Sequence, residues 1–347
     1  MSAAAIRSAF KEREGVPYHG GAVTYSVLAY AAGLLGLFHP DLRINAGATL
    51  LLAHSMTIAA YMIHECGHNT VFRRIRHNER LGGFLTWICG ASYGTFEDIR
   101  YKHMRHHVDN DDVVWFDYEK FFLEHPFVLR ATRALEWFYI PAHDLIMHGI
   151  MMFSSFIIPE RRDQRRRNVT VLLVRGAAFI GLLVWEPKAA VLYSVAYLLM
   201  IQVLRFTDSL QHDYGYRLSL YSKERSPHKG DSEWEQEHTF SVPLSLSHSR
   251  LNWLTLNFGY HNAHHARSTA PWYRLPALHR EMFGDDREAV IPFSQQLKIF
   301  HRGRVKRIIK WDRTASDAPT PTGRKFLFAA RQAQVDGGNA ASFLTSF

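Results

Sequence analysis

Apolar residues in this chain are bunched rather than spread. Four runs stand out, at 22–38, 46–63, 169–185 and 189–206, each 17 or 18 residues long. As helices they would measure about 26 Å, near the lower limit for a bilayer core of about 30 Å. The links within each pair, 40–45 and 186–188, are short, so the pattern predicts two helical hairpins and four crossings. The first run ends in His39-Pro40-Asp41 rather than in small residues, which reads as a retained span and not a removed signal peptide. Leu81–Tyr93 is apolar but too short to cross, and predicts an interfacial or re-entrant segment. Glu136–Ile158 is long enough, yet Pro141, His143, Asp144 and His148 interrupt it; a helix lying along the membrane surface is expected there. The fold class expected is all-α: a multi-pass membrane protein with four transmembrane helices and a cytosolic helical cap. Residues 1–21 are expected to be a polar cytosolic segment and 22–313 the membrane domain. Residues 314–347, rich in small and polar residues, are expected to be a disordered tail.

Charge adds an orientation. The net charge is +9, and the basic residues gather in Arg161–Arg167 and Arg302–Lys310, beside apolar runs. That placement suits an anionic membrane surface rather than nucleic acid, and no nucleic-acid partner is expected. The two tight links carry only Arg43 and Lys188, so they face outward and both termini face the cytosol. A bacterial inner membrane is preferred to the endoplasmic reticulum. Mean hydropathy of −0.18 requires a large polar part outside the bilayer. Arg175 lies inside the third run, where a charge must face protein or snorkel; position alone leaves both open.

The chemistry sits in histidines. Tyr101–His107 reads Y-K-H-M-R-H-H, with His103, His106 and His107 inside five residues. At about 100° per residue, His106 lies roughly 60° to one side of His103 and His107 roughly 40° to the other. All three rings can reach one point. The spacing returns as His261, His264 and His265 in Y-H-N-A-H-H, and His64 and His68 in H-E-C-G-H form an i, i+4 pair. Only two crossings separate His68 from His261, which puts all three clusters on the cytosolic side. Eight imidazoles exceed the four of a structural zinc and suffice for two metals. His212, in D-S-L-Q-H with Asp208 one turn earlier, competes with His238 for a ninth place and is ranked ahead. Two cysteines, Cys66 and Cys89, exclude a four-thiolate zinc site, an iron–sulfur cluster and a disulfide framework. Iron is favoured for redox chemistry because zinc has one oxidation state.

H-E-C-G-H, H-M-R-H-H and H-N-A-H-H, in this order around a pair of membrane helices, resemble the three histidine boxes of the membrane fatty acid desaturase/hydroxylase family. Pro271–Pro276 and His279 are similar to the family's continuation, and the resemblance covers roughly residues 46–282. It implies two irons held by His64, His68, His103, His106, His107, His261, His264 and His265, with His212 matching the family's extra histidine. Asp208 stands where animal desaturases carry an Asn that holds an iron-bound water, so its role as an outer support of the site is open. The implied reaction is O2-dependent desaturation of a fatty acyl chain. Hydroxylation, or decarboxylation of a free fatty acid to a terminal alkene, are the same-family alternatives. Electrons would come from outside, from a ferredoxin-, rubredoxin- or cytochrome b5-like donor, because no haem domain or dinucleotide fingerprint is evident.

Rival readings are weaker. H-E-C-G-H also satisfies the H-E-x-x-H zinc-protease pattern, so an intramembrane metalloprotease is the alternative from another class; it would leave both H-x-x-H-H clusters without a purpose. A metal carrier or sensor needs fewer ligands. His54, His143 and His148 read as packed or interfacial rings, and His279 as structural. Glu65 either orients a ligand histidine or is solvated. The aromatic residues of Val114–Phe122 are as suited to anchoring at the membrane surface as to lining a substrate wall.

Overall fold

A computed structural model of the chain describes residues 8–214, 217–309 and 322–337. It is mostly helical. In chain order the helices are α1 (Gly15–Gly36), α2 (Leu42–Gly67), α3 (Ile75–Cys89), α4 (Phe96–Asp109), α5 (Tyr118–Glu124), α6 (Pro126–Trp137) and α7 (Ala142–Ile157). They continue with α8 (Arg165–Trp185), α9 (Pro187–Asp208), α10 (Ser232–Glu237), α11 (His261–Ala266), α12 (Leu275–Phe283), α13 (Phe293–Gly303) and α14 (Arg324–Arg331). Two three-residue strands, β1 (Asp112–Val114) and β2 (Arg217–Ser219), pair in parallel. The chain divides into two compact units interleaved in sequence. One holds residues 8–100 and 144–203; the other holds 101–143 and the described residues from 204 onward.

The first unit carries most of the apolar runs. α1 and α2 form a hairpin whose contact depends on glycine: a Cβ on Gly36 would lie 2.6 Å from the Cβ of Ala48, and one on Gly33 would lie 2.9 Å from that of Leu52. The turn is closed by polar groups. Asn45 Nδ2 donates to the carbonyls of Gly36, Leu37 and His39 at 2.9–3.2 Å, and Asp41 caps α2 by accepting from the Arg43 N–H. These bonds satisfy carbonyls that a helix end leaves open. α8 and α9 follow each other across Glu186, and Lys188 in the first turn of α9 donates to the His39 carbonyl at 2.7 Å.

Three described helical stretches are long and apolar enough to cross a membrane: Leu42–Gly67, Pro159–Trp185 and Pro187–Asp208. The first expected span lies in α1, a 22-residue helix that is not among the three. Its glycines, tyrosines and the polar Ser26 and Thr24 dilute its apolar character. The helix also starts earlier than its apolar run, at Gly15. Ahead of it Phe10 is buried and bridges to Phe72, so part of the expected polar N-terminal segment is folded structure; residues 1–7 lie outside the described residues.

Arg161 and Arg167, from the run expected at a membrane surface, turn inward, and so does Arg175, whose direction the sequence leaves open. Arg175 donates to the Trp87 carbonyl at 3.1 Å and to Ser92 Oγ at 3.3 Å. Arg167 holds the carbonyls of Ser92, Tyr93 and Gly94, and buried Arg161 pairs with Asp98 at 3.1 Å. The 90–98 turn, at the end of the expected interfacial segment, is thus held by cations from α8 and the turn before it. The expected single surface helix over 136–158 is two helices. α6 stops at Trp137 and α7 begins at Ala142, because Pro141 has no N–H to donate and restricts the residue before it.

The second unit has its own core. Leu210, Phe240, Val242, Ile291, Ile299, Phe326, Ala330 and Ala333 form one buried cluster; Tyr260, Ala263, Leu275 and Leu278 form another. The first includes α14, which falls in the stretch expected to be disordered. Its period-four apolar positions, Phe326 and Ala330, give the segment a buried face that its small-residue composition conceals. Residues 314–321 and 338–347 of that expected tail lie outside the described residues, as do 310–313 before it. A buried ion pair, Arg205–Glu136 at 2.8 Å, completes the unit's interior. Glu136 also accepts from the His143 N–H.

Candidate metal centre

α4 delivers the second histidine box. The helix ends at Asp109, and Asn110 takes a left-handed conformation, φ 51°, that reverses the chain. Asn110 Nδ2 fixes this turn by donating to the carbonyls of His228 and Asp231, both at 2.8 Å. The reversal brings the Asp111 carbonyl back onto the helix, 2.7 Å from His106 Nδ1. A carbonyl can only accept, so Nδ1 carries the proton and neutral His106 keeps its lone pair on Nε2.

α11 delivers the third box. Leu256 and Asn257 are both left-handed, φ 44° and 57°, and turn the chain from a 3-10 helix into Tyr260. Gly259 follows where a Cβ would lie 2.7 Å from the Val242 carbonyl oxygen. Asn262, between the histidines, donates to the Thr239 carbonyl, and its N–H donates to Ser241 Oγ at 3.3 Å. The box is thereby tied to 239–241.

Two groups of imidazoles result within the second unit. His106, His212, His261 and His265 place ligand nitrogens within 4.8 Å of one another. Their closest approaches are Nε2 to Nε2: 3.1 Å from His106 to His212 and 2.8 Å from His261 to His212. His107 Nε2 lies 3.2 Å from His103 Nε2 and 3.1 Å from His264 Nε2. The two groups adjoin at the His107 and His265 rings, whose centroids are 4.1 Å apart. In the first unit His64 and His68 are both buried, with ring centroids 4.7 Å apart.

Opposite ring nitrogens are held by the protein. Besides the His106–Asp111 bond, Glu235 Oε1 lies 2.6 Å from His265 Nδ1 and Thr239 Oγ1 lies 3.2 Å from His212 Nδ1. A carboxylate, like a carbonyl, directs the His265 proton to Nδ1 and leaves Nε2 a lone pair. His261 Nδ1 is buried with no hydrogen-bond partner among the described residues. Burial and the adjacent His265 and His212 hold the His261 imidazole well below its usual pKa, so it stays neutral. Burial pushes Glu235 up to about 7, so the carboxylate that accepts from His265 Nδ1 prevails above that pH. Nitrogens bonded to one metal at about 2.0–2.1 Å sit roughly 2.9–3.4 Å apart when adjacent. The separations of 3.1–3.2 Å fall in that range and the His261–His212 separation of 2.8 Å lies just below it; a cation would sit between lone pairs that would otherwise face each other.

The remaining candidates from the sequence have these surroundings. His238 is not in either group: its Nδ1 lies 2.8 Å from the Trp234 carbonyl and its ring stacks on Trp234. Asp208 is half-buried at the end of α9, where its charge and that of Asp112 oppose the burial that brings Lys102 down to about 7. Glu65 is buried rather than solvated. It accepts from Thr70 Oγ1 at 2.6 Å and lies 3.7 Å from His64 Nδ1. His54 and His148 pair with tyrosines Tyr25 and Tyr197, His143 packs on Tyr118, and buried His279 packs on Tyr260 and Phe283. Among the aromatic residues of 114–122, Trp115, Tyr118 and Phe122 are fully buried, which is not the position of surface anchors. No spacing or motif singles out Glu235, Asp111 or Thr239 for these roles. The acidic cluster E-W-E-Q-E is the only local hint.

A model of the family described as fatty acid desaturase matches residues 44–297. A sphingolipid delta(4)-desaturase of Drosophila melanogaster is 27% identical over 236 residues, 66% of this chain and 62% of that protein. A fatty acid desaturase of Bacillus subtilis is 22% identical over 253 residues, 68% of this chain and 67% of that protein. The match to the fly protein therefore spans less than two thirds of its length. No solved structure matches the chain.

Proposed function

The chain belongs to the fatty acid desaturase family, and from that premise we propose that it is a membrane oxidoreductase that desaturates a fatty acyl chain with a pair of irons and O2. The observation that carries the reading is the convergence of His106, His212 and His261 on their Nε2 atoms, with His265 in the same group, and with Nδ1 of three of the four rings engaged by Asp111, Thr239 and Glu235. His103, His107 and His264 are proposed to hold the second iron, and His64 and His68, of the first box, are proposed as further ligands. Bound iron would supply the O2-dependent oxidation that an unactivated C–H bond requires.

The chain's own residues do the rest. The Asp111 carbonyl and the Glu235 carboxylate fix the tautomers of His106 and His265, so that each presents a lone pair and no proton. Burial of His261 keeps it neutral and excludes bulk water. Asp208 is proposed to act as a counter-charge to buried Lys102. Selectivity along a chain of equivalent CH2 groups then depends on where the acyl chain is held. The protein is proposed to sit in a membrane with both termini cytosolic and to draw electrons from a ferredoxin-, rubredoxin- or cytochrome b5-like donor. Cys66 and Cys89 are separate buried thiols.

Gas-chromatographic analysis of acyl lipids and headspace from cells expressing the wild type or His106→Ala tests this. New double bonds with the wild type alone support desaturation. Hydroxy acids or volatile alkenes instead would move the activity to hydroxylation or decarboxylation. Unchanged lipids together with a membrane protein cleaved only by the wild type would favour a protease.

A further inference from the structure

We propose that residues 322–337 form a brace that holds His212 in place, with Asp213 as the positioning residue through which it acts. The proposal rests on the reading of His106, His212, His261 and His265 as one metal position. α9 ends at Asp208, so His212 sits on irregular chain beyond its last helical turn. Side chains on such segments are less well fixed than those on helices unless something behind the backbone holds them.

Two stretches meet at this point. His212 bridges to Thr239 in antiparallel fashion, the Phe240 N–H donates to the Gln211 carbonyl at 2.8 Å, and the Asp213 N–H donates to the His238 carbonyl at 3.3 Å. The brace packs on both. Phe326, Ala330 and Ala333 share one buried cluster with Leu210 and Phe240, and the Phe326 ring stacks on Phe240 with centroids 5.1 Å apart. A polar tie reinforces this packing: the Gly323 N–H donates at 2.7 Å to Oδ2 of buried Asp213, the residue after His212.

Both ends of the brace are shaped for close contact. Gly323 is left-handed, φ 57°, where a side chain would be strained, and a Cβ there would come 3.1 Å from Glu237 Cγ. At the far end, a Cβ on Gly303 would collide with Gly337 Cα, so the two backbones touch. Arg331 Nη1 donates to the Val290 carbonyl at 3.0 Å, and Val290 bridges to Ser241. The segment is thereby attached to the backbone that carries Thr239 and Asn262's partner Ser241, as well as to the residue beside His212.

The test is metal content of the full-length protein, purified in nanodiscs, loaded with ferrous iron and desalted, with size-exclusion profile and helix content measured alongside. The wild type is expected to hold two irons per chain. Asp213→Ala is expected to fold and hold one, while Asp213→Asn, which keeps an oxygen for the Gly323 N–H, holds two. If Asp213→Ala does not fold, Phe326→Ala carries the test, since it leaves every hydrogen bond in place: one iron supports the brace and two overturn it. Two irons in folded Asp213→Ala overturn the brace alone. A wild type that binds no metal overturns the reading of the histidines and the brace with it.

Discussion

The Nε2 atoms of His212 and His261 lie 2.8 Å apart, closer than the 3.1 Å between those of His212 and His106. Two neutral imidazole nitrogens at that distance share either one N–H or a cation, and both rings belong to the group of four whose ligand nitrogens lie within 4.8 Å of one another. We therefore propose His212 as a metal ligand, and not His238, whose ring stacks on Trp234. His212→Ala should lower product formation by more than about 100-fold, as loss of a ligand does. His238→Ala should leave the activity in place. Parallel acyl-chain analysis of the two variants checks the assignment, and equal loss in both would reverse it.

Glu235 reaches His265 Nδ1 at 2.6 Å. Replacing such an outer partner of a ligand histidine typically lowers affinity or activity about 10–100-fold. Glu235→Leu should fall in that range. Glu235→Gln, which keeps an acceptor oxygen, should fall less. Iron titrations of the three proteins would show the order, and identical affinities would remove Glu235 from the site.

Arg205 and Glu136 form a buried pair at 2.8 Å, each side chain almost wholly out of solvent. Removing one partner leaves the other charge buried and alone, at a cost of about 3–5 kcal/mol. Arg205→Met should destabilise by that amount, and the double variant Arg205→Met, Glu136→Leu should recover most of it. Denaturation midpoints of the two would decide, and a double variant no more stable than the single would count against the account.

His279 has its pKa lowered from 6.5 because burial penalises the charged ring. Since the folded state prefers the neutral form, its contribution is present in full above about 6.5 and is lost as pH falls through that value to the lower folded one. Between pH 7.5 and 5.5 the thermal midpoint should drop less for His279→Phe than for the wild type. Equal drops would show that His279 does not titrate in this window.

The histidine boxes are legible in the sequence because their information is local. His103, His106 and His107 lie on one helix, and the i, i+3, i+4 spacing alone puts their rings together. The partners that orient those rings are not legible, because they reach the site through backbone or from afar: Asp111 offers only a carbonyl, and Glu235 is 30 residues from His265. Arg175 shows the same limit for the fold. Hydropathy marks the charge inside a span, but only the neighbouring Trp87 carbonyl and Ser92 hydroxyl show that it faces protein. α14 escapes a reading by period because two buried side chains in a run of small and polar residues are too few to give a periodic signal.

The central claim is that imidazoles from separate parts of the chain hold two redox-active metals. Iron and zinc analysis of protein purified from cells, wild type beside His106→Ala, tests it most directly. About two irons per wild-type chain are predicted, and fewer in the variant at unchanged helix content; a single zinc with no iron, or equal metal in both proteins, would contradict it.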